Sequence, residues 1–447
     1  MRPMRDFVRR AVAMGAVVAL VLAPLSCKKG PAPGAGPEDD VDPSAPEPDR
    51  SSAPAKPKVS YFDAVVEHLD VGGPVFAYRD LHGKVDAAVG ALKELMTAAG
   101  SELPPESRRM VQALDLKGFV KDLGLSRIVA AGASSKKVGD RYLNKLYVHT
   151  PEGRSGVLSL LGRDAAAFES RKIAPAGCDF LIERELNLAA GYGIVRDLVA
   201  RLKEPEATKS WNQLMGQKVA DAGMTVADVF QQLDTRAIIL GRLSDTETLE
   251  IPDSGMKIPK FDLYVSLEGM GFLFDQMVKQ LPPDAAAAIE KGDGYQQLAV
   301  PMPPNLQAVV RKEIKGSRIV VASSAEFLAE CQAGGGGLFN STEFGEAFRG
   351  LPDKGNGLVY VSKDVGRHIE SIIRQTAVTQ SADEPMVEKA LGLAAQILPV
   401  LRSHYAQVSA NLAEGVLTVS NSPTSWKGAV AGVPAALALV GFLAYKS

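Results

Sequence analysis

One pattern recurs four times between residues 59 and 425, and it restricts the fold more than any other feature. A short apolar run ends at an acidic residue, and a stretch of helical periodicity follows. The runs are Val75–Asp80, Phe180–Glu185, Leu263–Glu268 and Leu358–Asp364. Their helices extend to about Thr97, Leu202, Leu281 and Gln375. After each helix comes another β-rich stretch: Arg127–Ala131 with Leu146–His149, Arg236–Leu240, Ala308–Ala322, and Tyr405–Val419. Strand, helix, then hairpin gives a unit of ~80–100 residues, longer than a common solenoid repeat. The fold class expected is α+β: repeated strand–helix–hairpin units, starting near 59, 172, 257 and 352, forming antiparallel sheets covered by helices.

The acids Asp80, Glu185, Glu268 and Asp364 lie 105, 83 and 96 residues apart. An acid at a helix N-terminus meets unpaired N–H groups and the positive end of the dipole, for about 0.3–1 kcal/mol. That is the role expected of all four. The large strand residues Phe76, Tyr78, Phe180, Ile182, Tyr264 and Tyr360 are expected to face helices across a sheet. Phe272, Phe274, Met277 and Leu281 recur at helical spacing and are expected in the core.

The two ends of the chain carry a different signal. Residues 1–10 hold four Arg and one Asp, and Ala11–Leu25 is apolar. This is the layout of a secretory signal peptide, with an apolar run too short to span a bilayer comfortably. It ends at Pro24-Leu25-Ser26-Cys27, which resembles a bacterial lipoprotein cleavage box. The resemblance makes Cys27 the lipidated first residue of the mature chain, although Pro24 stands where the box usually has Leu. Residues 27–58 then form a tether, with Pro at 31, 33, 37, 43, 46, 48, 54 and 57. So much Pro with so little apolar content stays extended, reaching up to ~90 Å at about 3.1 Å per residue. At the other end, Gly428–Tyr445 is 18 residues without a charge, flanked by Lys427 and Lys446, with Trp426 and Tyr445 at interface positions. A transmembrane helix is expected over 426–447.

Composition narrows the chemistry. With 50 Lys+Arg against 52 Asp+Glu, the net charge of −2 gives no electrostatic reason to expect a nucleic-acid partner. Phosphate-loop, His-Glu-x-x-His and Gly-x-Ser-x-Gly motifs do not occur, and the five histidines (68, 82, 149, 368, 404) lack metal-ligand spacing. Gly334–Gly337 reads as a loop. No catalytic residue, cofactor or metal site is expected. Apart from Cys27 there are two cysteines, Cys178 and Cys331. In an oxidising envelope they could pair as a disulfide; as buried small hydrophobes they are equally at home.

The repeated strand ending in an acid, the segment Leu351–Ser362 and the segment Gly415–Ser420 resemble a broad family of uncharacterised secreted or lipid-anchored bacterial proteins. The resemblance covers roughly 60–425. It implies an envelope location and an α+β fold, and assigns no functional residue. The function expected is that of a membrane-anchored bacterial envelope protein without catalysis, in a structural or interaction role. Its partners would be the membrane, through the N-terminal lipid and the C-terminal helix, and another envelope protein. The alternative is a carrier of an apolar ligand or lipid.

Overall fold

The computed structural model describes residues 60–99, 115–219, 224–232, 234–250, 257–302, 306–334, 336–368, 370–371 and 403–427. The signal segment, Cys27, the Pro-rich tether and the apolar stretch 428–445 lie outside them. No helix among the described residues is long and apolar enough to cross a membrane. By contacts the chain divides into two units, Met1–Ala64 with Lys427–Ser447, and Val65–Trp426. Of the first, only residues 60–64 and 427 are described. The second carries nearly all that follows.

Along the chain, a short helix α1 (Phe62–Val66) precedes strand β1 (Val75–Asp80). Helices α2 (Lys84–Ala99) and α3 (Leu116–Asp122) lead to a hairpin, β2 (Ala130–Val138) and β3 (Arg141–His149). A two-residue strand β4 (Ala166–Ala167) and helix α4 (Ser170–Ile173) precede β5 (Phe180–Asn187). Helices α5 (Leu188–Arg201), α6 (Pro205–Met215) and α7 (Val226–Gln232) follow, then β6 (Asp234–Glu250) and β7 (Lys257–Leu267). Next come α8 (Phe272–Gln280), α9 (Pro283–Ala287), β8 (Glu290–Gly292), β9 (Tyr295–Met302), β10 (Leu306–Glu313) and β11 (Arg318–Ala322). The last elements are α10 (Ala325–Gln332), α11 (Thr342–Phe348), β12 (Lys354–Gly355), β13 (Gly357–Val361), β14 (Tyr405–Leu412) and β15 (Gly415–Ser422). Residues 363–368, directly after β13, are helical.

Thirteen strands form one antiparallel sheet in the order β1-β2-β3-β15-β14-β13-β5-β6-β7-β11-β10-β9-β8, and β4 pairs separately with β12. Three passages of strand, helix and antiparallel partner recur as expected: β1 with β2, β5 with β6, and β13 with β14. The third expected unit departs from this. Strand β7 closes the hairpin with β6 and also opens the next passage. One of its edges is therefore taken, and the strand on its free edge is β11, the last of its passage rather than the first. The passages are joined by β3 pairing with β15 and by β13 pairing with β5. These are long-range registers that no local periodicity encodes.

Strand alternation places a core on each face. On one face lies the larger cluster, with Leu181, Leu240, Tyr264, Val320, Phe327, Phe344 and Tyr360 all at most 2% exposed. Helices α10 and α11 supply Phe327 and Phe344. Both helices start as their sequences dictate: the Ser324 and Ser341 hydroxyls accept from the Phe327 and Phe344 N–H groups at 3.1 and 3.2 Å. Such caps are worth about 1 kcal/mol each. On the other face, α8 brings Phe274 against Leu298 and Ile319, with Met277 and Leu281 around them. Adjacent residues Ile319 and Val320 belong to opposite clusters, so this end of the sheet is covered on both faces. Of the four residues expected in the core, Phe274 is buried with Met277 and Leu281 packed against its cluster, whereas Phe272 is half-buried and lies outside it.

The large strand residues do not all face helices. Tyr264 and Tyr360 are buried, but Phe76 is 39% exposed. In β5 the buried set is Leu181, Glu183 and Glu185, while Phe180 and Ile182 are half-buried on the opposite face. There the Phe180 ring lies flat on Gly241, where any Cβ would overlap it, and the Arg184 guanidinium covers Gly357 in the same way. Arg127, expected in a strand, lies in a 3-10 turn, Leu125–Arg127, and the strand starts at Ala130.

Candidate functional site

Three of the four recurrent acids do not sit at helix starts. Asp80 ends β1, and its carboxylate accepts from the His82 N–H at 3.0 Å in a local turn. Glu268 precedes α8 by several residues, and its carbonyl accepts from the Thr235 hydroxyl at 2.8 Å. Glu185 lies inside β5, and the α5 cap is Asn187, whose side chain accepts from the Ala190 N–H at 2.9 Å. Only Asp364 lies in the first turn of its helix, where it pairs with Arg367 at 3.2 Å. A strand residue two positions before the true cap reads like a cap when the strand end is set by hydrophobicity alone.

Glu185 belongs instead to a buried charge cluster beneath β5 and β6. Glu183 and Glu185 are 2% and 5% exposed, and both point to the Arg236 guanidinium. Arg236 hydrogen-bonds Glu185 and lies 3.6 Å from Glu183 and 3.7 Å from Glu169. Glu183 also accepts from the backbone N–H groups of Glu169 and Ser170, both at 2.9 Å. The second oxygen of Glu185 accepts from Asn356 Nδ2 at 3.1 Å. Asn356 in turn donates to the Arg163 carbonyl and accepts from the Asn411 N–H at 2.7 Å. Burial opposes the charge on Arg236, but the Glu185 hydrogen bond and the fields of Glu185, Glu183 and Glu169 outweigh it and raise its pKa. Every charge here is spoken for by another element, as burial demands. The cluster pins β5, β6, the start of β13 and the Arg163 turn together.

A second polar group gathers two of the histidines. The Tyr147 ring packs tilted against His68, with ring centroids 4.1 Å apart, and its hydroxyl donates to the Glu414 carbonyl at 3.0 Å. His149 Nδ1 lies 3.0 Å from that carbonyl, which can only accept, so Nδ1 carries the proton. Burial, joined by His149 and Lys145 against Glu67, lowers the His68 pKa. Burial pushes Tyr147 up to about 12. These rings fasten the segment after α1 to β3.

Cys178 and Cys331 lie in the same core cluster, 2% and 0% exposed, as two free thiols. Burial pushes both up to about 12, and for Cys178 the neighbouring Cys331 adds to the rise. The structure thus brings the pair into one core without joining them.

A cavity of about 240 Å³ lies where four chain segments meet. The β2–β3 turn gives Asp140 and Arg141, the end of α11 gives Glu346 and Arg349, the segment before β14 gives His404, and the end of β15 gives Asn421. Arg141 is rigidly held: it donates to Asn421 Oδ1 at 2.6 Å, Ser403 Oγ at 3.1 Å and the His404 carbonyl at 2.7 Å. Asn421 Nδ2 donates to the carbonyls of Glu346 and Arg349 at 3.0 and 3.1 Å, tying α11 to the cavity floor. Burial, then the Arg141 charge, lowers the His404 pKa, so its ring is neutral at pH 7. No group of three or more His, Cys, Asp or Glu among the described residues is arranged to hold a metal ion.

No family model, no curated protein and no solved structure matches this chain. The sequence placed Glu185 at a helix start, Arg236 at a strand start and His404 among histidines without ligand spacing, and joined none of them to a cluster or a cavity. Charged residues inside apolar strands, Glu183 and Glu185 in β5 and Arg236 ahead of Ile238-Ile239-Leu240, were the available signal for the cluster.

Proposed function

We propose that this chain is a membrane-anchored bacterial envelope protein whose Val65–Trp426 unit is a structural or interaction module rather than an enzyme. The observation that carries the reading is the order of segments. A signal-like start, Cys27 and a Pro-rich tether lead to residue 60, where the described fold begins. Cys27 would be lipidated, residues 27–58 would space the sheet from the bilayer, and 426–447 would form a second, membrane-spanning anchor. Three strand–helix–partner passages recur within this module, in keeping with the resemblance to secreted and lipid-anchored envelope proteins. The buried ionisable groups add support. Glu183, Glu185 and Arg236 are spent on one another and on backbone groups, and are not poised over a cleft for acid–base work. The carrier of an apolar ligand is the weaker reading, because the cavity beside α11 is small and has Asp140, Arg141, Glu346 and Arg349 among its lining residues.

Two measurements on cells making the full chain test this. The intact mass of the detergent-extracted protein is expected to start at an acylated Cys27 and end at Ser447; an unacylated start elsewhere overturns the lipid anchor. Cross-linking in intact cells is expected to capture envelope proteins through residues 65–426. Cross-links confined to the chain itself would contradict the interaction role.

A further inference from the structure

We propose that the cavity between the β2–β3 turn, α11 and His404 is a binding site for a small zwitterion of the amino-acid class. The site lies beyond the anchoring and interaction role and does not depend on it. Two kinds of charge line this cavity, and they differ in what they already bind. Arg141 is committed: Asn421, Ser403 and His404 take its guanidinium N–H groups. The side chains of Asp140, Glu346 and Arg349 have no hydrogen bond or ion pair to any described residue, although all three line the same 240 Å³ space. His404, on the same wall, has a buried Nε2 with no hydrogen-bond partner among the described residues.

Formal charge in the lining balances: two carboxylates, two guanidinium groups and a neutral imidazole. A lone anion would meet Arg349 but also the fields of Asp140 and Glu346. A lone cation would meet the reverse. A molecule carrying an ammonium and a carboxylate a few ångströms apart satisfies both, with Glu346 and Asp140 receiving the ammonium and Arg349 the carboxylate. Volume sets the size. At about 30 Å³ of liquid per water, the cavity holds roughly eight waters, which suits one amino acid, and its charged lining disfavours an acyl chain. The walls are prepared for such a guest, because Arg141 and Asn421 hold the β2–β3 turn, the β15 end and the α11 end in place before it arrives.

Isothermal titration of the full-length, detergent-solubilised protein with the twenty L-amino acids, each at about 10 mM, tests the proposal. Acetate and methylammonium serve as single-charge controls, and glycylglycine reports on peptides. Binding is expected for at least one amino acid and for neither control, with affinity falling about tenfold or more in Arg349→Ala and in Glu346→Gln. Tighter binding of glycylglycine would assign the site to peptide termini and overturn the free amino acid as its ligand. Absence of heat with all twenty, or binding that both variants leave intact, would overturn the site. Both substituted residues are exposed, and matching circular dichroism and melting curves keep a loss of binding distinct from a loss of fold.

Discussion

Two regions of this molecule gather charge, and they use it in opposite ways. Beneath β5, two almost wholly buried glutamates and a largely buried arginine satisfy one another, with backbone N–H groups and Asn356 taking the remaining valences. At the cavity beside α11, Arg141 is likewise fixed and feels the fields of Asp140 and Glu346, but the side chains of Asp140, Glu346 and Arg349 make no hydrogen bond or ion pair to a described residue. A buried charge must be paired to be tolerated, so the first region is part of the architecture. Charges at the lip of a cavity keep their hydration and cost little when unpaired, so the second region can afford to wait for a ligand. Position in the fold, rather than residue type, separates the two roles.

The sharpest way to break this contrast is to remove the buried cation. Arg236→Met leaves Glu183 and Glu185 facing each other in the core, and a loss of about 3–5 kcal/mol in equilibrium urea unfolding is expected. Asn356→Ala comes next. It removes the donor to Glu185 and to the Arg163 carbonyl and the acceptor for the Asn411 N–H, and should cost about 1–3 kcal/mol by the same assay.

A pH series sharpens the comparison at the cavity. The folded-state pKa of His404 lies below its ordinary 6.5, so below that pH the unfolded chain binds the proton more readily than the folded one. Its contribution to stability is complete above pH 6.5, declines as pH falls, and levels off below the folded pKa. The slope from this one group is at most about 1.4 kcal/mol per pH unit. His404→Gln should flatten the stability profile between pH 7 and 5, measured by urea midpoints at each pH. His68, lowered by burial in its own pocket, contributes with the same sign and should persist in that variant. The smallest effect is expected for Arg349→Ala, within about 0.5 kcal/mol of the parent, because its exposed side chain makes no hydrogen bond or ion pair to a described residue.

Local structure was the legible part of this protein. Alternation of apolar runs and helical periodicity placed β1, β5, β7 and β13, the helices after the first three and the start of the helix after β13, since those signals are carried by neighbouring residues. What was not legible depends on residues far apart. Asn144 meets Ser420 across 276 positions, and Arg141 meets Asn421 across 280, so neither the β3–β15 junction nor the cavity leaves a spacing to find. Strand β7 serves two passages because its second edge was open, a fact of the sheet rather than of its own residues. Glu185 misled for a related reason. Beside Asn187 it looked like a cap, and its real partner, Arg236, lies 51 residues away.

The most direct test of the division between architectural and available charge is a side-by-side urea unfolding of the parent, Arg236→Met and Arg349→Ala. The structure predicts a loss of several kcal/mol for the first variant and none beyond about 0.5 kcal/mol for the second. Equal losses in the two, or a parent-like Arg236→Met, would contradict it.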